Sequence, residues 1–280
     1  MKIVITGATG LIGSRVLELV EERHEVWAIT RGPERSGSSR VHWLCGDLAA
    51  DRLPEGLPDH ADVVLHLAQS PHYRDFPSQA TDVFNVNTGS TARLLDWSQR
   101  SGVSHFVLAS SGGVSARSKN FYLATKAAAE ELSAAYESFF AVLALRFFFV
   151  YGHRQKPWML IPRLMASIES GTPIAIAGTD GTRLNPVHVD DAAEAVIRAI
   201  EARVTGVMNV AGPEVLTIRR IGEMLARELG RDASFASDLR KTPEDVVGDI
   251  ADMSSRIGAP RWRLADRITE LIHARRRANS

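Results

Sequence analysis

The sequence predicts an α/β protein: a doubly wound parallel sheet with a smaller, partly helical C-terminal lobe. Three observations predict it. A glycine-rich turn joins the first apolar run to a helical pattern, apolar runs then alternate with amphipathic segments, and this alternation stops after Gly152. Alternation of this kind places parallel strands side by side under helices. The 280 residues suffice for one such domain and a smaller lobe.

The predicted strands are apolar runs rich in Val, Ile and Leu, which are typical of strands buried on both faces. They span 2–6, 25–30, 41–45, 62–67, 104–109 and 141–147. Amphipathic segments lie between them at 11–23, 79–101 and 121–138. Because strand–helix–strand crossovers are right-handed, this order fixes most of the topology.

The C-terminal part has a different, mostly helical pattern. Its predicted elements are a helix at about 158–170, a short strand at 174–176 and helices at 190–202, 217–229 and 261–276. We therefore predict a sheet domain formed by 1–152 together with about 184–212. The smaller lobe is predicted to comprise 153–183 and 213–280.

Composition excludes several classes of protein. Lys and Arg number 33, as do Asp and Glu, so no basic surface for nucleic acid is expected. Cys45 is the single cysteine, which excludes an intrachain disulfide framework and a cysteine-rich metal site and favours a reducing compartment, the cytoplasm. No basic leader is recognisable, and no stretch approaches the roughly 18 apolar residues of a membrane helix. We expect no bound metal and no membrane contact.

The glycine-rich turn is the segment TGATGLIG at 6–13. A strand that ends in such a turn and opens a helix directs backbone N–H groups and the positive end of a helix dipole at one point, where a dinucleotide pyrophosphate fits. Gly7 allows the tight turn, and Gly10 allows the backbone to approach the phosphates. Gly13 allows the helix to pack closely on the strand. A plain turn without a ligand is the alternative. The expected cofactor contacts here are Gly7, Thr9, Gly10, Leu11, Ile12 and Gly13.

Tyr122 and Lys126 are four residues apart, so they share one helix face. An ammonium near a phenol stabilises the phenolate and lowers its pKa from about 10. Such pairs are also common on exposed helices. Ser111 ends the fifth predicted strand, where the cofactor is expected, and its hydroxyl can bind a substrate oxygen, although a turn serine is the alternative. Together with the glycine turn, these three residues predict a catalytic site.

With these motifs in this order, the sequence resembles the extended short-chain dehydrogenases/reductases of the NAD(P)-dependent epimerase/dehydratase family over nearly its whole length. The matching segments are 6–13, 45–48, 66–69, 85–95, 106–111, 122–126, 145–152 and 187–196. The resemblance implies a Rossmann-type NAD(P)-binding domain and a substrate-binding lobe. It also implies that Ser111, Tyr122 and Lys126 form a catalytic triad.

The resemblance implies further cofactor contacts. Asp47 and Leu48 touch the adenine, Ala68 with its neighbours Leu67 and Gln69 lines the cofactor, and Asn87 orders the sheet nearby. Asp47 as a helix cap and Asn87 as a buried structural amide are equal alternatives.

In the implied mechanism, Tyr122 takes the proton of a substrate hydroxyl while its carbon gives a hydride to the nicotinamide, or the reverse. Ser111 orients that oxygen. Lys126 holds the nicotinamide ribose and keeps the phenol acidic.

The end of the second strand bears on the choice of cofactor. NAD enzymes usually place a carboxylate there to bind the ribose, whereas an arginine serves a 2′-phosphate. This chain has Thr30 and Arg31 there, with Arg35 and Arg40 in the same loop. NADP is therefore favoured over NAD; arginines that are merely solvated, with NAD bound, are the alternative.

Several residues differ from those usual in the family, and these differences exclude some of the family's reactions. Dehydratases usually follow the catalytic hydroxyl with Asp-Glu, whereas here Gly112 and Gly113 follow it. Epimerase-reductases acting at sugar carbons 3 and 5 use a cysteine and a histidine near the substrate, and Cys45, on the third strand beside the adenine, is misplaced for that role. A 4-epimerase needs only the triad. We therefore expect a 4-epimerase of a sugar nucleotide or related polyol, with an NADPH-dependent carbonyl reductase or a non-catalytic dinucleotide-binding regulator as alternatives.

The positions expected to bind the substrate differ from those of the family. Phe149 and Leu184 occupy positions where family members often carry Asn and Arg for the diphosphate. Arg183, or the basic loop that includes His153 and Arg154, can supply the charge, although a solvated loop is equally consistent. The candidate substrate contacts are Tyr73, Gly112, Phe149, His153, Arg154 and Arg183.

A homodimer is implied by resemblance, with the helices at about 79–101 and 121–138 pairing as a four-helix bundle between subunits. Intramolecular packing of their apolar residues is the alternative. These residues are Phe84, Leu94, Leu95, Trp97 and Phe139.

Overall fold

The structure, a computed structural model, describes residues 1–32, 38–116 and 119–279. The strands are β1 (Lys2–Thr6), β2 (Glu25–Thr30), β3 (Val41–Cys45), β4 (Val63–His66), β5 (His105–Ser111), β6 (Ala141–Phe147), β7 (Ile174–Ala177), β8 (Arg183–Leu184), β9 (Gly206–Val210), β10 (Leu216–Thr217) and β11 (Phe235–Asp238). The α-helices are α1 (Leu11–Val20), α2 (Ala80–Phe84), α3 (Ser90–Arg100), α4 (Phe121–Ala134), α5 (Leu160–Ser170), α6 (Val189–Glu201), α7 (Ile218–Leu229), α8 (Ala251–Arg256) and α9 (Leu264–Asn279).

Two short helical turns complete the elements near the candidate site. A π-helical turn, Asn85–Gly89, joins α2 to α3, and a 3₁₀ turn, Gly112–Ser115, follows β5. Within the described ranges, no helix is both long and apolar enough to cross a bilayer.

The central sheet has seven strands in the order β3-β2-β1-β4-β5-β6-β9, and the pairs from β3 to β5 are parallel. This confirms the predicted α/β fold. In the register, Ile5 of β1 lies opposite Ala28 of β2 and Leu65 of β4, and all three side chains are fully buried. The strand order reverses direction between β1 and β4, which makes their carboxyl ends the expected ligand-binding crevice.

The six predicted strands of this sheet are present, and each differs from its predicted bounds by no more than two residues. The seventh strand, β9, was not predicted. Its residues alternate between buried and partly exposed, so it lacks the continuous apolar run that marked the inner strands.

The chain forms two compact units. The first comprises Met1–Arg146 and Ala193–Met208, and the second Phe147–Ala192 and Asn209–Ser280. The core of the first unit includes Val4, Leu94, Leu95 and Phe106. The second unit has its own core, which includes Tyr151, Met165 and Leu225, and two small sheets, β8 with β10 and β7 with β11.

The turn between β1 and α1 depends on glycine. Gly7 has a φ of +70°, and a Cβ added to it would lie 2.7 Å from the backbone nitrogen of Ala68. A Cβ added to Gly13 would lie 2.1 Å from the carbonyl oxygen of Gly7. Real Cβ atoms do not approach backbone so closely, so any side chain at either position would push α1 or β4 away from β1.

We therefore expect Gly13→Ala to destabilise the protein by about 3 kcal/mol, the upper end of the usual cost of forcing a methyl group into packed structure. Denaturant unfolding measures this. Gly32→Ala is the matched control, since an added Cβ there meets no atom within 4 Å. Equal unfolding midpoints for the two variants would contradict this account of the turn.

Candidate active site

The N-terminus of α1 is open to a ligand. Gly10 is its N-cap in extended conformation, no side chain caps it, and the first turn holds no acidic residue. The first N–H groups of a helix have no intrahelical partner and carry partial positive charge. Thr9 and Gly10 are exposed, and the backbone approach at Gly7 and Gly13 leaves room for no side chain. These residues fit the pyrophosphate of a dinucleotide.

A buried chain of hydrogen bonds supports the opposite side of the crevice. Ala68 N–H donates to Oγ1 of Thr6 (3.2 Å), which lies 2.7 Å from Nδ1 of His66. Nε2 of His66 lies 3.1 Å from Oγ of Ser90, and that hydroxyl donates to the carbonyl of Val86 (2.5 Å). Every donor is satisfied when Thr6 donates to His66 and the neutral imidazole carries its proton on Nε2.

The protonation state of His66 agrees with this arrangement. Burial lowers the pKa of His66 to about 3, and the charges of Lys126 and Arg93 act in the same direction. The imidazole is therefore neutral at pH 7. Sequence analysis missed Thr6 and His66 as supporting residues, although both end strands that border the crevice.

Asn87 joins the segment after β4 to helix α4. Its Oδ1 accepts from the backbone N–H of Ser70 (3.0 Å), and its Nδ2 donates to Oγ1 of Thr125 (3.0 Å). Thr125 in turn donates to the carbonyl of Tyr122 (2.7 Å). Asn87 lies in the π-helical turn, a conformation that is frequent at functional sites. These bonds are those of a buried structural amide; direct contact with a cofactor stays a prediction.

The phenol of Tyr122 has two polar side-chain partners, Gln69 and Ser111. The phenol donates a hydrogen bond to Oε1 of Gln69 (3.1 Å). Burial raises the pKa of Tyr122 to about 12, and a hydrogen bond with Ser111 opposes that rise. The direction differs from our expectation of a lowered pKa, because loss of hydration outweighs the stabilising contacts present. The phenol is protonated at neutral pH.

Lys126 is directed towards the backbone of β5. Its Nζ donates to the carbonyl of Ala109 (2.8 Å), two residues before Ser111. Burial lowers the pKa of Lys126 to about 8, and the charge of Glu130 opposes that fall. Lys126 therefore remains mainly cationic at neutral pH.

A cavity of about 390 Å³ opens beside Tyr122. The rings of Phe76 and Phe121 stack at 4.9 Å, and those of Tyr73 and Tyr122 lie 5.2 Å apart. The guanidinium of Arg74 lies 5.4 Å from the ring of Tyr73. Tyr73 was expected near the substrate, whereas Phe121 was overlooked because the sequence alone does not separate a pocket-lining aromatic from a packed one.

The predicted adenine-side residues lie at the ends of β2 and β3. Leu48 is buried, whereas Asp47 is exposed and its Oδ1 accepts from the N–H of Ala49 (2.9 Å). This is a bond within a turn and not the helix cap given as the alternative, because no helix begins there. Oγ1 of Thr30 accepts from the N–H of Gly32 (3.3 Å), and Arg31 is exposed. Arg35 lies outside the described residues. Leu67 is partly buried, as is Ala68.

The other predicted substrate residues are divided between the units. Gly112 is buried in the 3₁₀ turn directly after Ser111, in the first unit. Phe149, His153, Arg154 and Arg183 belong to the second unit, and all four are exposed. Phe149 has a φ of +45°, a strained value for a non-glycine residue. The Arg183 guanidinium lies 3.6 Å from Asp245, so an anionic ligand would compete with that carboxylate.

The profile of the NAD dependent epimerase/dehydratase family matches residues 3–211. An uncharacterized UDP-glucose epimerase of Bacillus subtilis is 27% identical, with 90% of each chain covered. A UDP-glucuronate 4-epimerase of Thermodesulfobacterium geofontis is 30% identical, with 92% of this chain and 90% of its own covered. Mycobacterial relatives are longer, and this chain covers 28% of their length.

Solved structures resemble the whole chain. MoeE5 in complex with UDP-glucose and NAD superimposes with a TM-score of 0.84, is 28% identical and covers 100% of both chains. The fold described above is therefore shared with an NAD-bound protein over its full length.

Proposed function

This chain belongs to the NAD dependent epimerase/dehydratase family, and we propose that it is a 4-epimerase of a sugar nucleotide. The observation that carries the proposal is the convergence of Ser111 and Tyr122 on the sheet edge, with Lys126 one helical turn further along α4. A hydroxyl, a phenol and an ammonium on neighbouring elements can together move a proton at a carbinol oxygen.

The residues that would hold the nicotinamide dinucleotide are those that border the crevice. The N–H groups at the start of α1 face the pyrophosphate, and the backbone of Leu67 to Gln69, fixed through Thr6, lines the other wall. When bound, the nicotinamide accepts a hydride from the substrate carbon and later returns it.

The proton is handled by Tyr122 in both halves of the reaction. In the oxidative half, Oη of Tyr122 takes the proton of the substrate hydroxyl, which requires the phenolate. Ser111 and Lys126 are the groups that stabilise that phenolate, by hydrogen bond and by charge. In the reductive half, the protonated phenol returns the proton to the keto oxygen. The raised pKa of Tyr122 makes the phenol form the resting state.

Epimerisation is favoured over dehydration because of the residues after β5. Removing water from a sugar requires an acid and a base beside the reacting carbons. Gly112 and Gly113 carry neither and begin a tight 3₁₀ turn. An added Cβ at Gly113 would lie 2.9 Å from the side chain of Leu123, so this turn packs closely on α4. Oxidation at carbon 4 and reduction from the other face need only Ser111, Tyr122 and Lys126.

The substrate class is supported by the names of the relatives and by the cavity. The relatives at 27 and 30% identity are named for UDP-glucose and UDP-glucuronate, and MoeE5 was solved with UDP-glucose. The cavity beside Tyr122 combines aromatic rings with the cation of Arg74, which suits a sugar ring bearing polar or anionic groups. We propose a nucleoside diphosphate sugar.

We expect Tyr122→Phe to reduce epimerisation by about 10²- to 10⁴-fold, the usual contribution of a general acid–base group. UDP-glucose and UDP-glucuronate are the probes, and product is measured by chromatography. Binding of NAD(P) should persist, since the aromatic ring remains. Tyr136→Phe is the control, because Tyr136 packs against Phe140 in the core. Activity of Tyr122→Phe equal to that of the control would refute the proposal; consumption of NADPH with each turnover would instead indicate a carbonyl reductase.

The preference for NADP(H) is tested at Arg31. A 2′-phosphate paired with an exposed guanidinium gains about 1 kcal/mol, so Arg31→Ala should weaken NADP(H) binding about fivefold and leave NAD(H) binding unchanged. Calorimetric titration measures both. Equal loss for the two cofactors, or tighter binding of NAD(H) by the unaltered protein, would favour NAD instead.

We also propose a homodimer through the helices α2, α3 and α4. Leu94 and Leu95 are fully buried within the first unit, so they belong to the core rather than to an interface. Phe84, Leu132 and Phe139 remain 49, 38 and 62% exposed, respectively, on or just after α2 and α4. Exposed apolar side chains of this size are typical of interface cores.

Sedimentation at micromolar concentration tests the dimer. The unaltered chain should sediment as a dimer, and a variant with Phe84→Glu and Leu132→Glu as a monomer, because both changes would bury charge. Leu239→Glu is the control, since Leu239 is also exposed but lies in the second unit. A monomer for the unaltered chain would disprove this assembly.

A further inference from the structure

A partly buried ion pair, Arg146 with Glu130, lies next to the segment that contains Ser111. Arg146, in β6, donates from Nε to Oε1 of Glu130 (2.9 Å) and from Nη2 to Oε2 (2.6 Å). Glu130 is buried in α4, and the two-point geometry is the strongest form of such a pair. No step proposed above uses either residue.

The pair holds both ends of the segment that contains Ser111. Oε1 of Glu130 also accepts from the hydroxyl of Ser110, the residue before Ser111. Arg146 Nη1 donates to Oγ of Ser115, the last residue of the 3₁₀ turn (3.1 Å). Four residues separate these two attachment points, and Ser111 and Gly112 are among them.

The same carboxylate acts on Lys126. Glu130 follows Lys126 by four residues on α4, so the two share a helix face. The Glu130 charge raises the pKa of Lys126 against the lowering by burial. Two groups from other elements bear on Lys126: the carbonyl of Ala109 in β5 accepts from its Nζ, and the neutral His66 of β4 has its pKa lowered by the Lys126 charge. Arg93 of α3 also lowers the pKa of His66, and Tyr122 lies four residues before Lys126 on α4.

We propose that the Arg146–Glu130 pair is a positioning device for the reaction: it fixes Ser111 through Ser110 and Ser115 and sets a negative charge beside Lys126. The inference rests on the proposed function and deepens it. Stability alone explains the pair poorly, because well-packed apolar residues of similar volume are often as stable as a buried ion pair. Its three connections instead run to the strand end, the turn and the lysine of one site.

Glu130→Gln is the principal test. Glutamine keeps the shape and can still accept from Ser110, but it removes the charge and sets an amide NH2 group against the guanidinium of Arg146. Lys126 then loses the charge that opposes desolvation, so its ammonium should deprotonate at lower pH. The alkaline limb of kcat should shift to lower pH, and kcat should fall about 10- to 100-fold through misplacement of the reacting groups.

Two further variants separate positioning from folding. Ser115→Ala removes only the link to the turn, at an exposed residue, and should lower kcat while the melting temperature stays within a few degrees of the unaltered protein. Glu169→Gln is the matched control, because Glu169 forms a similar multi-bond pair with Arg275 in the second unit. It should leave the pH profile unchanged.

NMR titration with isotope-labelled lysine measures the pKa of Lys126, and so the effect of the Glu130 charge on it, without turnover. The Lys126→Arg variant assigns the signal. A lower pKa for Lys126 in Glu130→Gln supports the proposal. An unchanged Lys126 titration and an unchanged kcat profile in a folded Glu130→Gln protein would overturn it. If the unaltered protein neither binds NAD(P) nor converts UDP-sugars, the proposed function fails, whereas the lysine titration still decides whether Glu130 acts on Lys126.

Discussion

The site depends on one close backbone crossing. The carbonyl of Gly7 occupies the place where a side chain of Gly13 would lie, and the backbone of Ala68 occupies the place of a side chain at Gly7. Three elements, β1, α1 and β4, are therefore in backbone contact at the point where the strand order reverses. Helix α1 begins at that crossing, so its unpaired N–H groups face the crevice rather than the interior.

Neutral hydrogen bonds preserve this crossing without adding charge to it. Thr6, His66 and Ser90 form a chain in which each donor has an acceptor, and a fully satisfied buried network favours one arrangement over its alternatives. Neutrality matters electrostatically as well. A protonated imidazole at His66 would repel the ammonium of Lys126, which burial already disfavours. The low pKa of His66 thus protects the charge of Lys126.

The features that were predicted correctly from the sequence are those that depend on a pattern of neighbouring residues. Continuous apolar runs located the inner strands, and the glycine spacing located the crossing at Gly7. By contrast, β9 and the six-residue helix α8 were missed, because a half-exposed strand and a short helix leave little periodicity. Spacing also placed Tyr122 and Lys126 on one face, yet it could not show that the flexible lysine reaches the Ala109 carbonyl. The tertiary partner Arg146 likewise had no signal in the sequence.

Burial disfavours the charged form of both titrating groups of the proposed triad. It raises the pKa of Tyr122 and lowers that of Lys126, so each charged form is costly by itself. A phenolate and an ammonium placed close together relieve both costs at once, because their attraction is strong where hydration is poor. In the proposed mechanism, the proton of Tyr122 is therefore easiest to remove while Lys126 is charged. In that mechanism, the carboxylate of Glu130, which raises the pKa of Lys126, also favours the reactive form of the phenol.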